Sequence, residues 1–252
     1  MDRTTLSMYA AFGVLSAGAL PITAALRGLH RGDPTHRRAG RSLRTLGRAI
    51  VRATNAWDFS VSGAPPADLD RRPCVIVANH ASLADPFLLS HLPFDQRYVA
   101  KQELFEIPLV GWLLRLAGDI PIRRGDHESA VAMERACITT LEHGLSVTIF
   151  PEGTRTKDGT LGSFRNGAFR IAKAVGVRVL PVALRGTAGC IVDGRPRRAR
   201  GHAEMLAPIE SSGRSIEELR DLTRAVIANA LAPVPGFVAH EQHAPSEAPR
   251  VP

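Results

Sequence analysis

Two ionisable side chains stand five residues apart where an apolar run ends. In CVIVANHASLADPFLL, residues 74–89, His80 follows Cys74–Ala78 and Asn79, and Asp85 precedes Pro86. An imidazole and a carboxylate are the pair used in general-base chemistry: the carboxylate holds the ring in one tautomer, and the free nitrogen takes a proton. A five-residue spacing brings two side chains together neither on a straight strand nor on one helix face, where neighbours are three or four apart. The chain must therefore turn between them. Asp-Pro suits a helix start, with Asp85 as N-cap and Pro86 in the first turn. A strand ending at Asn79, a short turn and that helix would let His80 meet Asp85. From this pair alone, a capping aspartate and a loop histidine are the more economical reading.

Further apolar runs end in chemistry of their own. TIFPEGTR, residues 148–155, runs into Glu152, Gly153, Thr154 and Arg155. Glycine permits close backbone approach, and the guanidinium fork matches phosphate. Glu152 would repel a phosphate, so it is expected to accept a bond from a substrate hydroxyl or to position an arginine; a plain polar β-turn is the alternative. GDIPIRRGD, residues 118–126, ends in Arg123 and Arg124. Adjacent residues on an extended chain face opposite ways, so one of the two is expected in the same crevice. RVLPVALRG carries Pro181 inside a strand pattern, which predicts an edge or a bulge.

The sequence contains no G-x-S-x-G elbow, no Walker loop, no G-x-G-x-x-G and no H-E-x-x-H. Cys74, Cys137 and Cys190 are scattered and odd in number, against a disulfide framework or a zinc site and in keeping with a reducing compartment. No metal is expected. A base and arginines without a nucleophile point to direct transfer onto a substrate hydroxyl.

These residues need a scaffold, and the chain from residue 58 supplies one. Apolar, β-branched runs at 58–62, 74–78, 97–100, 119–122, 145–150 and 178–184 alternate with helical patterns at 86–92, 109–117, 128–143 and 166–175. A strand near 202–206 and a helix near 215–231 follow. Such alternation predicts an α/β domain over 58–232 with a largely parallel sheet, whose ligands collect at the carboxyl ends of the strands. The proline- and alanine-rich stretch 233–252 is expected to be a disordered tail.

The 252 residues carry a net charge of +8, and between Arg27 and Arg52 eight arginines face one acid, Asp33. Directly before them, Leu6–Leu26 is free of charge and interrupted by Pro21. Residues 1–57 are therefore read as a membrane anchor, spanning or shallow, rather than a cleaved signal, followed by a basic amphipathic helix suited to an anionic lipid surface. The domain is placed on the cytoplasmic face. The alternative is an ordinary helix packed on the domain. Nucleic acid is not an expected partner, since few aromatic residues are available for stacking.

Taken in order, NHASLAD, GDIPIRR, FPEGTR and VLPVAL resemble the glycerolipid acyltransferases over about residues 58–210, and most closely the 1-acylglycerol-3-phosphate (lysophosphatidate) acyltransferases. KQELFEIPLVGWLLRLAG is similar too, beginning at Lys101. The resemblance implies a catalytic His80 and Asp85. It implies substrate binding by Lys101, Arg124 and the Phe150–Arg155 motif with Glu152, Gly153, Thr154 and Arg155. It further implies acyl transfer from acyl-CoA or acyl carrier protein to the sn-2 hydroxyl of a lysophospholipid in phospholipid synthesis, with no cofactor beyond that co-substrate. One departure stands out: Arg123 occupies a position that is often acidic in the family. Another acceptor, such as lyso-ornithine lipid, and a non-catalytic lipid-binding protein are the alternatives.

Overall fold

The computed structural model describes residues 3–156, 160–193 and 195–232; the expected tail lies outside the described residues. Two helices lead, α1 (Arg3–Leu29) and α2 (Arg37–Thr54). Strand β1 (Trp57–Ser62) opens the domain, followed by β2 (Val75–Ala78), α3 (Asp85–Leu89), β3 (Gln96–Lys101), α4 (Val110–Ala117), β4 (Ile120–Ile122), α5 (His127–Glu142) and β5 (Ser146–Ile149). Then come α6 (Gly167–Val175), β6 (Val179–Arg185), the short hairpin β7 (Ile191–Val192) and β8 (Arg195–Pro196), β9 (Ala199–Met205) and α7 (Ile216–Leu231).

Seven strands form one mixed sheet in the order β1-β9-β6-β2-β5-β3-β4. The five from β6 to β4 are parallel, and β9 joins β6 antiparallel with β1 beside it. Period-two alternation divides the apolar residues between two faces. Val75, Val77, Val147 and Ile149 pack with Cys137, Phe169 and Leu219 from α5, α6 and α7. Ile76, Ala78, Leu180 and Val182 pack with Leu88 and Leu89 from α3 on the other face. A strand buried on both faces is largely apolar, as β2 is throughout; in the equally buried β5, Ser146 accepts the Cys74 N–H and Thr148 bonds Gln96.

Pro181 lies in β6, between β2 and β9, so it is not on an edge. The pairing passes from Val182↔Met205 to Val179↔Ile209, three residues of β6 against four of its partner. The proline thus stands opposite a one-residue excess, and the bulge accommodates its missing N–H.

Two expectations for the leading helices need correction. Pro21 does not interrupt α1, which runs through it as a single helix. The arginine stripe of α2 is not a free cationic face, although Arg52 is exposed and Arg41 keeps 62% of its side chain exposed. Arg37 donates to the carbonyl of Gly144 (2.7 Å), Arg41 to Asp95 (2.9 Å) and Arg48 to the carbonyl of Ser90 (2.6 Å). Arg44 is buried on Asp119, its guanidinium 3.7 Å over the Tyr98 ring. Domain carboxylates and carbonyls take up much of this charge, so α2 is packed on the domain along part of its basic stripe.

α1 is inverted relative to a helix packed in water. Its buried positions include Thr5, Ser16 and Thr23, while Leu6, Tyr9, Val14, Ile22 and Leu29 are exposed. Both of its ends rest on the domain. Met8 packs with Trp57, Ala84 and Cys190, and Arg27 donates to the carbonyls of Arg115 and Leu116 at 2.9 and 3.0 Å.

Candidate active site

The parallel strands β2, β5, β3 and β4 are consecutive neighbours, so their carboxyl ends make one edge. His80 follows β2, Phe150–Arg155 follows β5, Lys101 ends β3, and Arg123–Arg124 follows β4. Three inter-strand spacings, roughly 14 Å, separate the first from the last. Topology alone thus gathers the residues singled out in the sequence.

His80 and Asp85 meet: Nδ1 lies 2.7 Å from Oδ2. The same carboxylate oxygen accepts the N–H groups of Ala81 (2.8 Å) and Ser82 (2.9 Å). Asp85 is fully buried; three donors converge on Oδ2, while Oδ1 is buried with no hydrogen-bond partner among the described residues. Its bonds run back into the turn; Ala84 is the N-cap of α3, so the expected capping duty of Asp85 is not present. Because the carboxylate can only accept, the proton resides on Nδ1 and the Nε2 lone pair is left open. Among the described residues Nε2 has no hydrogen-bond partner.

The ring and main chain of His80 are held independently of Asp85. Phe150 stacks on the imidazole, with centroids 4.1 Å apart and planes at 20°. Glu152 Oε1 accepts the His80 N–H at 2.8 Å, and the His80 carbonyl accepts the Thr156 N–H at 3.1 Å. The loop after β5 therefore brackets the peptide that carries the histidine. Upstream, the Asn79 amide bonds both the N–H (2.7 Å) and the carbonyl (2.9 Å) of Leu184, fixing the end of β2 against β6.

Glu152 is buried, and its second oxygen accepts the Gly162 N–H at 2.9 Å. Both oxygens go to main chain, not to an arginine. Burial raises its carboxyl above the usual range, and the two N–H donors oppose that rise. Gly162 is required by this approach, since a Cβ there would lie 2.7 Å from Oε2.

A basic group gathers at the neighbouring strand ends. Gly153 has φ +69°, and a Cβ on it would come 2.9 Å from Nε of Arg165. Arg124 is exposed, and its guanidinium is made less basic by partial burial and by the charges of Arg155 and Arg165, while Glu103 offsets this. Lys101 pairs with Glu103 at 2.8 Å, and that hydrogen bond holds the Glu103 carboxyl below its usual range. Thr154 and Arg155 are exposed on the same loop. Arg123 turns away to Asp126, 3.7 Å distant, so Arg124 is the member of the pair in the cluster. Sequence reasoning missed Arg165, Glu103 and Asn79. Arg165 sits in SFRNGAF outside any motif, and its only signal is position just before α6.

A histidine held in one tautomer, an open ring nitrogen and arginines on the same strand-end edge suit proton removal from a bound hydroxyl during group transfer. The Acyltransferase family model matches residues 60–185, and the chain belongs to this family. It is 44% identical over 115 residues to the chloroplastic 1-acyl-sn-glycerol-3-phosphate acyltransferase BAT2 of Brassica napus, a match covering 46% of this chain and 33% of the relative. It is 32% identical over 193 residues to the lyso-ornithine lipid O-acyltransferase of Pseudomonas aeruginosa, covering 69% and 72% of the two chains. The crystal structure of the 1-acyl-sn-glycerophosphate acyltransferase PlsC from Thermotoga maritima superposes with a TM-score of 0.73 at 28% identity, over 90% of this chain and 92% of that one. The chain spans only about a third of the length of the plant relative.

Proposed function

We propose that the protein transfers a fatty acyl group from a thioester to the sn-2 hydroxyl of 1-acylglycerol-3-phosphate, giving phosphatidic acid. The carrying observation is the 2.7 Å His80–Asp85 bond with Nε2 open, on the strand-end edge that also carries the arginines. An alcohol has a pKa near that of water, about 16, so its attack needs a positioned base. Nε2 takes the hydroxyl proton as the oxygen bonds to the acyl carbon. The C–S bond breaks, and the thiol, with a pKa of about 8.5, departs as thiolate with little help. Asp85 stabilises the imidazolium that forms. Arg124, Arg155 and Arg165, with Lys101, hold the acceptor phosphate; Glu152 positions His80 through its main chain.

The outward apolar face of α1 supports membrane association. With both ends resting on the domain, α1 lies along one leaflet instead of crossing it. Cys74, Cys137 and Cys190 are unpaired, which favours the cytoplasmic face.

A second acceptor is favoured by one observation: Glu103 places a carboxylate among the cations, a pattern that suits the ammonium of a lyso-ornithine lipid, the acceptor named for the Pseudomonas aeruginosa relative. Offering lysophosphatidate, other lysophospholipids and lyso-ornithine lipid, each with acyl-CoA and with acyl carrier protein thioester, separates the readings. The proposal requires lysophosphatidate to have the highest kcat/KM; a preference for lyso-ornithine lipid would replace it.

A further inference from the structure

α2 engages four of its six arginines, Arg37, Arg41, Arg44 and Arg48, with carboxylates and carbonyls of the domain, and further cations able to meet a lipid surface lie elsewhere. The β7–β8 hairpin and the residues after it carry Arg195, Arg197 and Arg198, all exposed. Among the described residues no carboxylate lies within 4 Å of any of these guanidinium groups, whereas the neighbouring Arg200 pairs with Asp58 at 3.5 Å. The exposed Asp193 in the turn leaves the hairpin net positive. The hairpin is also anchored: Pro196 is buried, and the Arg197 N–H donates to the Cys190 carbonyl at 2.8 Å.

Its location gives these charges a partner. β8 packs against α1, and Ile191 packs on the cluster that holds Met8. Val192 is 43% exposed. Of the ten large apolar side chains that are exposed among the described residues, five are on α1. Leu83, Ile107, Trp112 and Val192 lie on segments that lead into or belong to elements touching α1 or α2, and only Leu222 on α7 stands apart. At the opposite end of α1, Arg31 and Arg38 are exposed. An apolar helix lying in the interface thus has cations at both ends.

We infer that the β7–β8 hairpin is a second membrane contact, in which Arg195, Arg197 and Arg198 bind phosphate groups of anionic phospholipids and Val192 enters the apolar margin. This rests on the reading of α1 as an interfacial helix. Each cation near an anionic leaflet strengthens binding about fivefold. The full chain and its R195Q/R197Q/R198Q variant would be compared by co-sedimentation with phosphatidylcholine vesicles, with and without phosphatidylglycerol. The variant is expected to melt like the wild type and to bind neutral vesicles equally, yet to lose more than about tenfold in affinity for anionic ones. The triple lysine variant, which keeps the charge, is expected to retain that affinity. Undiminished binding of the glutamine variant to anionic vesicles would overturn the inference. Such binding combined with selectively slowed transfer from acyl carrier protein would reassign the arginines to an acidic protein partner. A wild type that ignores both vesicle types would remove the underlying reading of α1 as well.

Discussion

Glu152 Oε1 accepts the backbone N–H of His80 at 2.8 Å, so the carboxylate of one motif holds the main chain of the residue proposed as base in another. Its other oxygen holds Gly162 at 2.9 Å, so main-chain donors engage both oxygens. Glu152→Gln turns an amide N–H₂ toward one of these N–H groups and breaks that bond. The expected outcome is a stability loss of about 1–3 kcal/mol. kcat should fall while KM for the acceptor stays nearly constant. Steady-state kinetics on the purified variant decide this: a large rise in acceptor KM at unchanged kcat would make Glu152 a substrate contact instead.

Gly153 and Arg165 form a second dependency. Its φ of +69° and the 2.9 Å approach to Arg165 Nε leave no room for a Cβ. Gly153→Ala costs about 1–2 kcal/mol in backbone strain and displaces the guanidinium. Acceptor KM should rise with it, and Arg165→Gln should raise KM similarly. If G153A changes stability alone, Arg165 is not part of the phosphate site.

Arg44 tests the corrected view of α2. It is buried with Asp119, whose carboxylate otherwise accepts, among the described residues, only the Tyr98 N–H at 3.0 Å. Arg44→Met strands a buried carboxylate and should cost about 3 kcal/mol. Arg52→Met, exposed on the same helix, should change stability by less than about 0.5 kcal/mol. Chemical denaturation in detergent solution measures both, and equal effects would contradict the anchoring role.

His36 gives the fold a pH dependence of known sign. Burial, then Arg27 and Arg97, push its imidazole below the ordinary value of 6.5, so the native state binds fewer protons than the unfolded chain. Stability contributed by neutral His36 is therefore present above that ordinary value and is lost as pH falls through it toward the depressed folded value. His36 also has φ 49°, a conformation asparagine tolerates. His36→Asn should flatten the fall in melting temperature on acidification, with the residual slope coming from His91, which burial also lowers. An unchanged slope would exclude His36 as the source.

Much of this architecture was legible because parallel strands buried on both faces leave long apolar runs, and each run ended where the chemistry began. β2, β5 and β6 lie within a residue or two of their expected bounds for this reason. The partners of polar side chains were not legible. Amphipathic spacing located the arginines of α2 on one face but carried no information on whether that face met water or Asp95, Asp119 and the carbonyls of Gly144 and Ser90. Asp85 looked like a cap because Asp-Pro usually begins a helix; its oxygen instead gathers donors upstream. Glu152 looked like a substrate contact because the N–H groups it accepts come from residues 80 and 162, far away in sequence. Pro21 looked like a break because sequence alone does not show that α1 rests on the domain at both ends.

The central claim is that His80 Nε2 removes the acceptor's proton while Asp85 orients the ring. Its most direct test is the rate of acyl transfer from a thioester to 1-acylglycerol-3-phosphate by the wild type and His80→Ala, both shown to be folded. The account predicts transfer by the wild type and a loss of at least about 100-fold in the variant. Equal rates in the two would contradict it.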